Sequence, residues 1–269
     1  MKDKRILYVS SEVVPYLPET EMSLASFEVA RMVHNLGGQT RIFMPRFGLI
    51  NERRHQLHEV IRLSGMNIVV DDMDMPLIIK VASIPKERMQ VYFIDNDEYF
   101  KRKSIFSDED DKLYVDNAER AIFFAKGVVE TVKKLNWQPH IIHIHGWMSA
   151  LLPLYLKTYF ADEALFNESK IVTSIYDNGF QGLLDNRLFD KIKFDIPDED
   201  KLATLKESTH YNMQKIAIEN SDAVVYGSAS IPAEIEKYIQ LLNKKVLTYH
   251  PLDKMEDVIT EFYLKQVLQ

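Results

Sequence analysis

Pro139-His140-Ile141-Ile142-His143-Ile144-His145-Gly146-Trp147 runs directly into Met148-Ser149-Ala150-Leu151-Leu152-Pro153-Leu154-Tyr155-Leu156. The first half reads as a buried strand that stops at a polar turn, and the second half restarts as an apolar helix. In open α/β sheets the crevice beside such a strand-to-helix junction is where small molecules bind. Acids or bases commonly sit at such an edge, yet Gly146 brings no side chain. The stretch therefore predicts a site whose outline is present and whose chemistry is missing.

Outward from it, short apolar runs alternate with longer segments of helical period, which predicts a mainly parallel sheet covered on both faces. Residues 6–9 form the first strand. Thr20 can cap a helix with Leu24, Phe27, Ala30 and Val33 on its apolar face, ending at Leu36-Gly37-Gly38. Residues 40–44, closed by Pro45, give the second strand. Between 57 and 95 the pattern changes, because 60–63, 67–70, 77–84 and 90–94 are strand-like with turns but no helix between them. An antiparallel hairpin excursion is expected there. A long amphipathic helix over 113–135 follows. Downstream come a strand at 170–175, a polar loop from Tyr176 to about Asp200, a helix over 201–219 and a strand at 223–226. A helix over 231–242, a strand at 245–249 and a terminal helix over 252–268 complete the alternation. No repeat or linker divides the chain, so residues 1–269 are expected to form one doubly wound α/β domain with a strand-rich insertion at about 57–95.

Composition narrows the function classes. With 269 residues the chain can bury about 75% of the surface its unfolded form exposes, enough for a stable core without metal or disulfide. It contains no cysteine, which removes thiol nucleophiles and fits a reducing compartment. No apolar run is long enough to span a bilayer or to form a signal-peptide core, so no membrane partner and a cytoplasmic location are expected. The net charge of −7 argues against nucleic acid, which needs a basic surface to release counterions. The basic triplet Lys101-Arg102-Lys103 is balanced by Asp108-Glu109-Asp110-Asp111 and reads as a solvated loop.

His143 and His145 stand at i and i+2 and so face one side of a strand, as two metal ligands would. No third ligand is visible, and hydrogen-bonded histidines at a strand end are the simpler expectation; no metal is expected. Asp95, Asp97 and Glu98 crowd another strand end, where carboxylates usually serve turns and caps. There is no G-x-G-x-x-G after a strand, no phosphate-loop lysine and no nucleophile elbow, so no cofactor is expected.

Several segments, taken in order, resemble the N-terminal, acceptor-side domain of bacterial glycogen synthases and plant-type starch synthases. Ile6-Leu7-Tyr8-Val9-Ser10-Ser11-Glu12-Val13-Val14-Pro15-Tyr16 is similar to the family's opening strand and its S-E-V-x-P-F turn. Arg41-Ile42-Phe43-Met44-Pro45-Arg46-Phe47-Gly48, residues 91–100 and Asp116-Asn117-Ala118-Glu119-Arg120 continue the match. His143-x-His145-Gly146-Trp147 with Ala150-Leu151 resembles H-x-H-D-W-H-T-A-L, and Gln181-Gly182 resembles the end of H-N-L-A-Y-Q-G. Asn220-Ser221-Asp222-Ala223-Val224-Val225 resembles the A-D-x-V-T strand.

The resemblance implies a Rossmann-like half of a glycosyltransferase-B fold and, for the family, glucose transfer from ADP-glucose to an α-1,4-glucan. It also exposes departures. Where the family has K-T-G-G-L, this chain has Pro18-Glu19-Thr20-Glu21-Met22, so a cation and flexible glycines give way to a rigid ring and two carboxylates that should repel a diphosphate. Gly146 stands for the aspartate of H-D-W, Met148 for the histidine after the tryptophan and Tyr176 for the histidine of H-N-L. The resemblance covers the first of the family's two domains, and the chain alone is expected to be inactive as a glycosyltransferase. A glucan- or protein-binding module is the leading expectation, with Glu12, His145, Trp147, Tyr176 and Gln181 as the contact surface. The alternatives are a transferase subunit that works with a separate nucleotide-binding chain, and a structural homo-oligomer.

Overall fold

A computed structural model describes residues 1–269. The strands are β1 Arg5–Ser10, β2 Gln39–Pro45, β3 His58–Glu59, β4 Met66–Val70, β5 Met73–Ser83, β6 Gln90–Asp95, β7 Ile141–His145, β8 Lys170–Ile175, β9 Ala223–Tyr226 and β10 Lys245–Leu247. The helices are α1 Glu21–Asn35, α2 Asp97–Phe100, α3 Asn117–Leu135, α4 Leu151–Lys157, α5 Leu188–Asp195, α6 His210–Glu219, α7 Ala233–Leu241 and α8 Met255–Phe262. The sheet runs β10-β9-β8-β7-β1-β2-β6-β5-β3 and is parallel from β10 to β6. β5 then pairs antiparallel with β6, and β3 and β4 pair antiparallel with β5.

Strand order reverses between β1 and β7, whose last residues Ser10 and His145 are partners in register. Parallel strands of this kind are buried on both faces, so every residue of β7 is buried. Helices α3, α4, α6 and α7 pack in series on one face, while α1 packs against α8 on the other. Gly127 of α3 lies against Ile94 and Leu77, where a Cβ would stand 3.0 and 3.3 Å away, so its missing side chain sets how closely α3 approaches β5 and β6. One apolar cluster runs through both layers.

Several elements differ from the expectations. Residues 60–63 form a turn, because Leu63 and Ser64 donate back to the Val60 carbonyl and Gly65 turns at φ 81°. The short strand is His58–Glu59 instead, while β6 pairs parallel with β2 on one side and antiparallel with β5 on the other, joining the excursion to the parallel core. The helix expected from 113 begins at Asn117, since Leu113 is drawn into a bridge with Ser107. The polar loop after Tyr176 contains α5, whose Leu188 and Ile192 are buried. The helix expected over 201–219 breaks into a 3-10 segment, Glu199–Lys206, and α6, because Thr209 bridges Leu183 and caps α6 by accepting from the Asn212 amide. The terminal helix likewise divides into a 3-10 turn, α8 and a π-helical turn, Tyr263–Val267. No helix is long and apolar enough to cross a membrane.

Candidate functional site at the carboxyl edge of the sheet

The ends of β1 and β7 meet at the switch point, and the side chains there divide into a closed corner and an open groove. The corner is built from the loop before α1. Thr20 caps α1 by accepting from the Ser23 amide at 3.0 Å, and Ser23 Oγ accepts from the Thr20 amide at 2.7 Å. This reciprocal cap satisfies two amides that would otherwise lack partners. Thr20 also donates to Glu12 Oε2 at 2.7 Å, and burial raises the Glu12 carboxyl above its usual range. Glu21 accepts a hydrogen bond from the Ser228 hydroxyl, which ties α1 to the loop after β9.

Gly146 turns the chain out of β7 at φ 75° and ψ 171°, a conformation open essentially to glycine. A Cβ there would fall well inside contact distance of Met22 Sδ, so the thioether fills the space that a side chain at 146 would need. The same arrangement recurs at Tyr176, which is buried with its ring over Gly227, where a Cβ would overlap three ring atoms. Met148 is fully buried. The four positions at which the resemblance implies catalytic polar groups, Pro18, Gly146, Met148 and Tyr176, thus carry a ring, a bare backbone, a thioether and a buried phenol.

Beneath the corner lies a buried polar chain on the α1/α8 face of the sheet. His143 Nδ1 hydrogen-bonds with the Tyr263 hydroxyl at 2.5 Å and its Nε2 with Ser174 Oγ at 2.7 Å. His145 Nδ1 hydrogen-bonds with the Tyr176 hydroxyl at 2.7 Å, whereas its Nε2 has no partner. The two imidazoles lie 4.3 Å apart between centroids. Burial keeps both neutral, lowering His145 to about 3 and His143 well below the usual value, the latter helped by its neighbouring ring. The side-by-side placement expected of i and i+2 holds, and the nitrogens of His143 are engaged by hydroxyls.

The groove opens beside this wall. Trp147 is buried, tilted against Phe106 at 4.7 Å and edge-on to Phe180 at 5.0 Å. Phe180 in turn packs on His210 at 5.5 Å, and Gly179 leaves room for that imidazole. A trough of about 370 Å³ is lined by Glu12, Gly146, Trp147, Asn178, Phe180 and Gln181. It shares Asn178 to Gln181 with a shallower trough of about 650 Å³ bounded by Thr209 and Tyr211. Aromatic edges beside amides and carboxylates suit a polyhydroxylated ligand, whose rings stack and whose hydroxyls pair.

The five residues expected on one contact surface therefore separate. Glu12, Trp147 and Gln181 line the groove, while His145 and Tyr176 lie buried behind it. Asp95 is also buried and pairs with Arg46 at 2.9 Å and Lys80 at 3.0 Å, and Asp97 pairs with Arg46 and Lys101, so these carboxylates brace the sheet edge. Phe106, Phe180 and His210 were not singled out in the sequence, being scattered aromatics without a motif. The polar chain carried a visible signal: Tyr8 and Ser10, His143 and His145, and Ser174 and Tyr176 each share one face at period 2.

Sheet order, switch point and layers define the class as an α/β, Rossmann-like half of the glycosyltransferase-B type. Residues 5–244 match the family model of the starch synthase catalytic domain, and the chain belongs to that family. It is 36% identical over 234 residues to the glycogen synthase of Chlorobium limicola, covering 86% of this chain and 47% of that protein. It is 39% identical over 193 residues to the glycogen synthase of Chlorobaculum tepidum, covering 70% of this chain and 38% of that one. The catalytic domain of starch synthase IV from Arabidopsis thaliana, solved with ADP and acarbose, shares the fold at a TM-score of 0.71 and 15% identity, over 92% of this chain and 51% of that domain. The chain spans about half the length of the curated relatives it matches.

Proposed function

We propose that this chain is a glucan-binding, non-catalytic member of its family, acting in the cytoplasm as a binding or regulatory module. The observation that carries this reading is the filled corner: Met22 occupies the space at Gly146 and the Tyr176 ring occupies the space at Gly227. Sugar-nucleotide chemistry needs charged donors aimed at a diphosphate and a proton-handling group near the transferred sugar. In their place stand a thioether, a phenol tied to a neutral imidazole, and the acidic side chains Glu19 and Glu21, which disfavour a diphosphate. The groove keeps what glucan binding requires, with Phe180 beside Asn178, Gln181 and Glu12.

Calorimetry with maltoheptaose and with ADP tests this reading directly. Maltoheptaose is expected to bind and ADP to give no heat at concentrations up to the millimolar range. Binding of ADP, or the absence of maltoheptaose binding, contradicts it. Adding a separately expressed nucleotide-binding domain of a relative tests the two-chain transferase alternative, and light scattering tests self-association.

A further inference from the structure

Asn178, Gly179, Phe180 and Gln181 line both troughs of the groove, yet their backbone makes no hydrogen bond to the rest of the backbone. The loop is held at its two ends. At the far end the Leu184 amide donates to the Ser208 carbonyl at 3.1 Å, and Ser208 Oγ donates to the Asp185 carbonyl at 2.8 Å. At the near end Gln214 Nε2 donates to the Tyr176 carbonyl at 2.8 Å, and the Asp177 amide donates to Ser228 Oγ at 3.1 Å. The buried Ser228 hydroxyl has one proton to give, and it gives it to the Glu21 carboxylate. Glu21 is the first residue of α1, where the Thr20 cap fixes the start of the helix. A carboxylate on α1 is thus joined, through one serine after β9, to the amide that opens the groove loop after β8.

We propose that Glu21 is a positioning residue for the groove: by taking the Ser228 proton it aims the Ser228 oxygen at the Asp177 amide and holds the loop over 178–181 in the form that lines the troughs. The consequence for ligand binding rests on the glucan reading and deepens it, because there Glu21 serves only as a charge against a diphosphate. A hydroxyl turns freely about its C–O bond, so a carboxylate is what fixes which way its lone pairs point. The bond to a charged acceptor is stronger than one to a neutral acceptor, and a hydroxyl that donates to a charge accepts better in turn. A segment without backbone bonds of its own opens at low free energy, so its anchors set how often it stands in the lined form. Apparent affinity falls in proportion to that fraction. Phe180 still packs edge-on against Trp147 and His210, so losing the Glu21 anchor loosens the loop without melting it.

Amide exchange by NMR, read beside calorimetry with maltoheptaose, tests the proposal on the full chain. Glu21→Ala should speed exchange of the Asp177 amide about fivefold and Ser228→Ala about tenfold. The Gly227 amide, which donates to the Ile175 carbonyl within the sheet, should be unchanged in both. Glu21→Gln keeps an acceptor oxygen for Ser228 and should bring Asp177 back to within about twofold of the unsubstituted chain. Maltoheptaose should weaken about fivefold in Glu21→Ala and about tenfold in Ser228→Ala, with no further loss when the two are combined. Glu19→Ala removes the same charge from an exposed neighbour and should move neither readout. The proposal is overturned if Asp177 exchange is unchanged in Glu21→Ala, if Glu21→Gln behaves like Glu21→Ala, or if exchange quickens while maltoheptaose affinity stays. If the unsubstituted chain binds no maltoheptaose, the glucan reading falls, and Asp177 exchange alone decides whether Glu21 holds the loop.

Discussion

The corner and the groove share one edge of one sheet, yet they use their side chains in opposite ways. In the corner two departures from the family pattern interlock with a neighbour: Met22 fills the space at Gly146, and the Tyr176 ring fills the space over Gly227. In the groove Glu12, Asn178 and Gln181 face an open trough, and Gln181 is exposed. The difference is one of packing against open volume, and the proposed function takes the filled corner as unfit for a sugar nucleotide and the groove as the ligand surface.

The sharpest way to break the comparison is pH, because the wall behind the corner rests on neutral histidines. The folded chain holds His145 at about 3 and His143 well below its usual value, against about 6.5 when unfolded. Between those values the unfolded chain binds protons that the folded chain refuses, so stability is fully present above pH 6.5 and is lost as pH falls towards 3. Each histidine contributes up to about 1.4 kcal/mol per pH unit, so urea unfolding should show a loss of about 3 kcal/mol between pH 6.5 and 5. Glu12, raised by burial, has the opposite sign, its share being present at low pH and lost as pH rises through the carboxylate range. Stability that stays flat down to pH 5 would show that the histidines are not held neutral by the fold.

A second test addresses the interlock itself. Gly227→Ala forces a methyl into the buried Tyr176 ring and should cost about 2.5 kcal/mol by chemical denaturation. Restoring the family's smaller ring with Tyr176→His should recover at least half of that loss in the double variant. Additivity of the two changes would mean that the positions are not coupled. In the groove the expected effects fall on ligand rather than on stability. Phe180→Ala should weaken maltoheptaose about tenfold in calorimetry, through loss of one stacked aromatic. Gln181→Ala, at an exposed position, should weaken it about threefold and leave the unfolding midpoint unchanged within error.

The sheet was largely legible in the sequence because its strands are short apolar runs separated by helices of regular period. The segment over 139–147 placed both the central strand and the switch point. What escaped reading depended on tertiary context. Residues 60–63 are as strand-like as their neighbours, but the reversal at Ser64-Gly65 takes them into a turn. The break between the 3-10 segment and α6 follows from the bridge between Leu183 and Thr209, a pairing far apart along the chain. At the site, the motif named Glu12, His145, Trp147, Tyr176 and Gln181, yet motif spacing carries no information about depth. Only the structure separates the groove residues from the two that pack behind them. The pairing of Met22 with Gly146 was equally hidden, since the residues lie on different elements and neither is polar.

The central claim is tested most directly by following labelled glucose from ADP-glucose into glycogen, with this chain alone and with a separately supplied nucleotide-binding domain of a relative, beside a parallel measurement of glycogen retention. The account predicts retention of glycogen with no incorporation above the protein-free blank in either mixture. Incorporation in either mixture would contradict it, because the filled corner would then still support transfer.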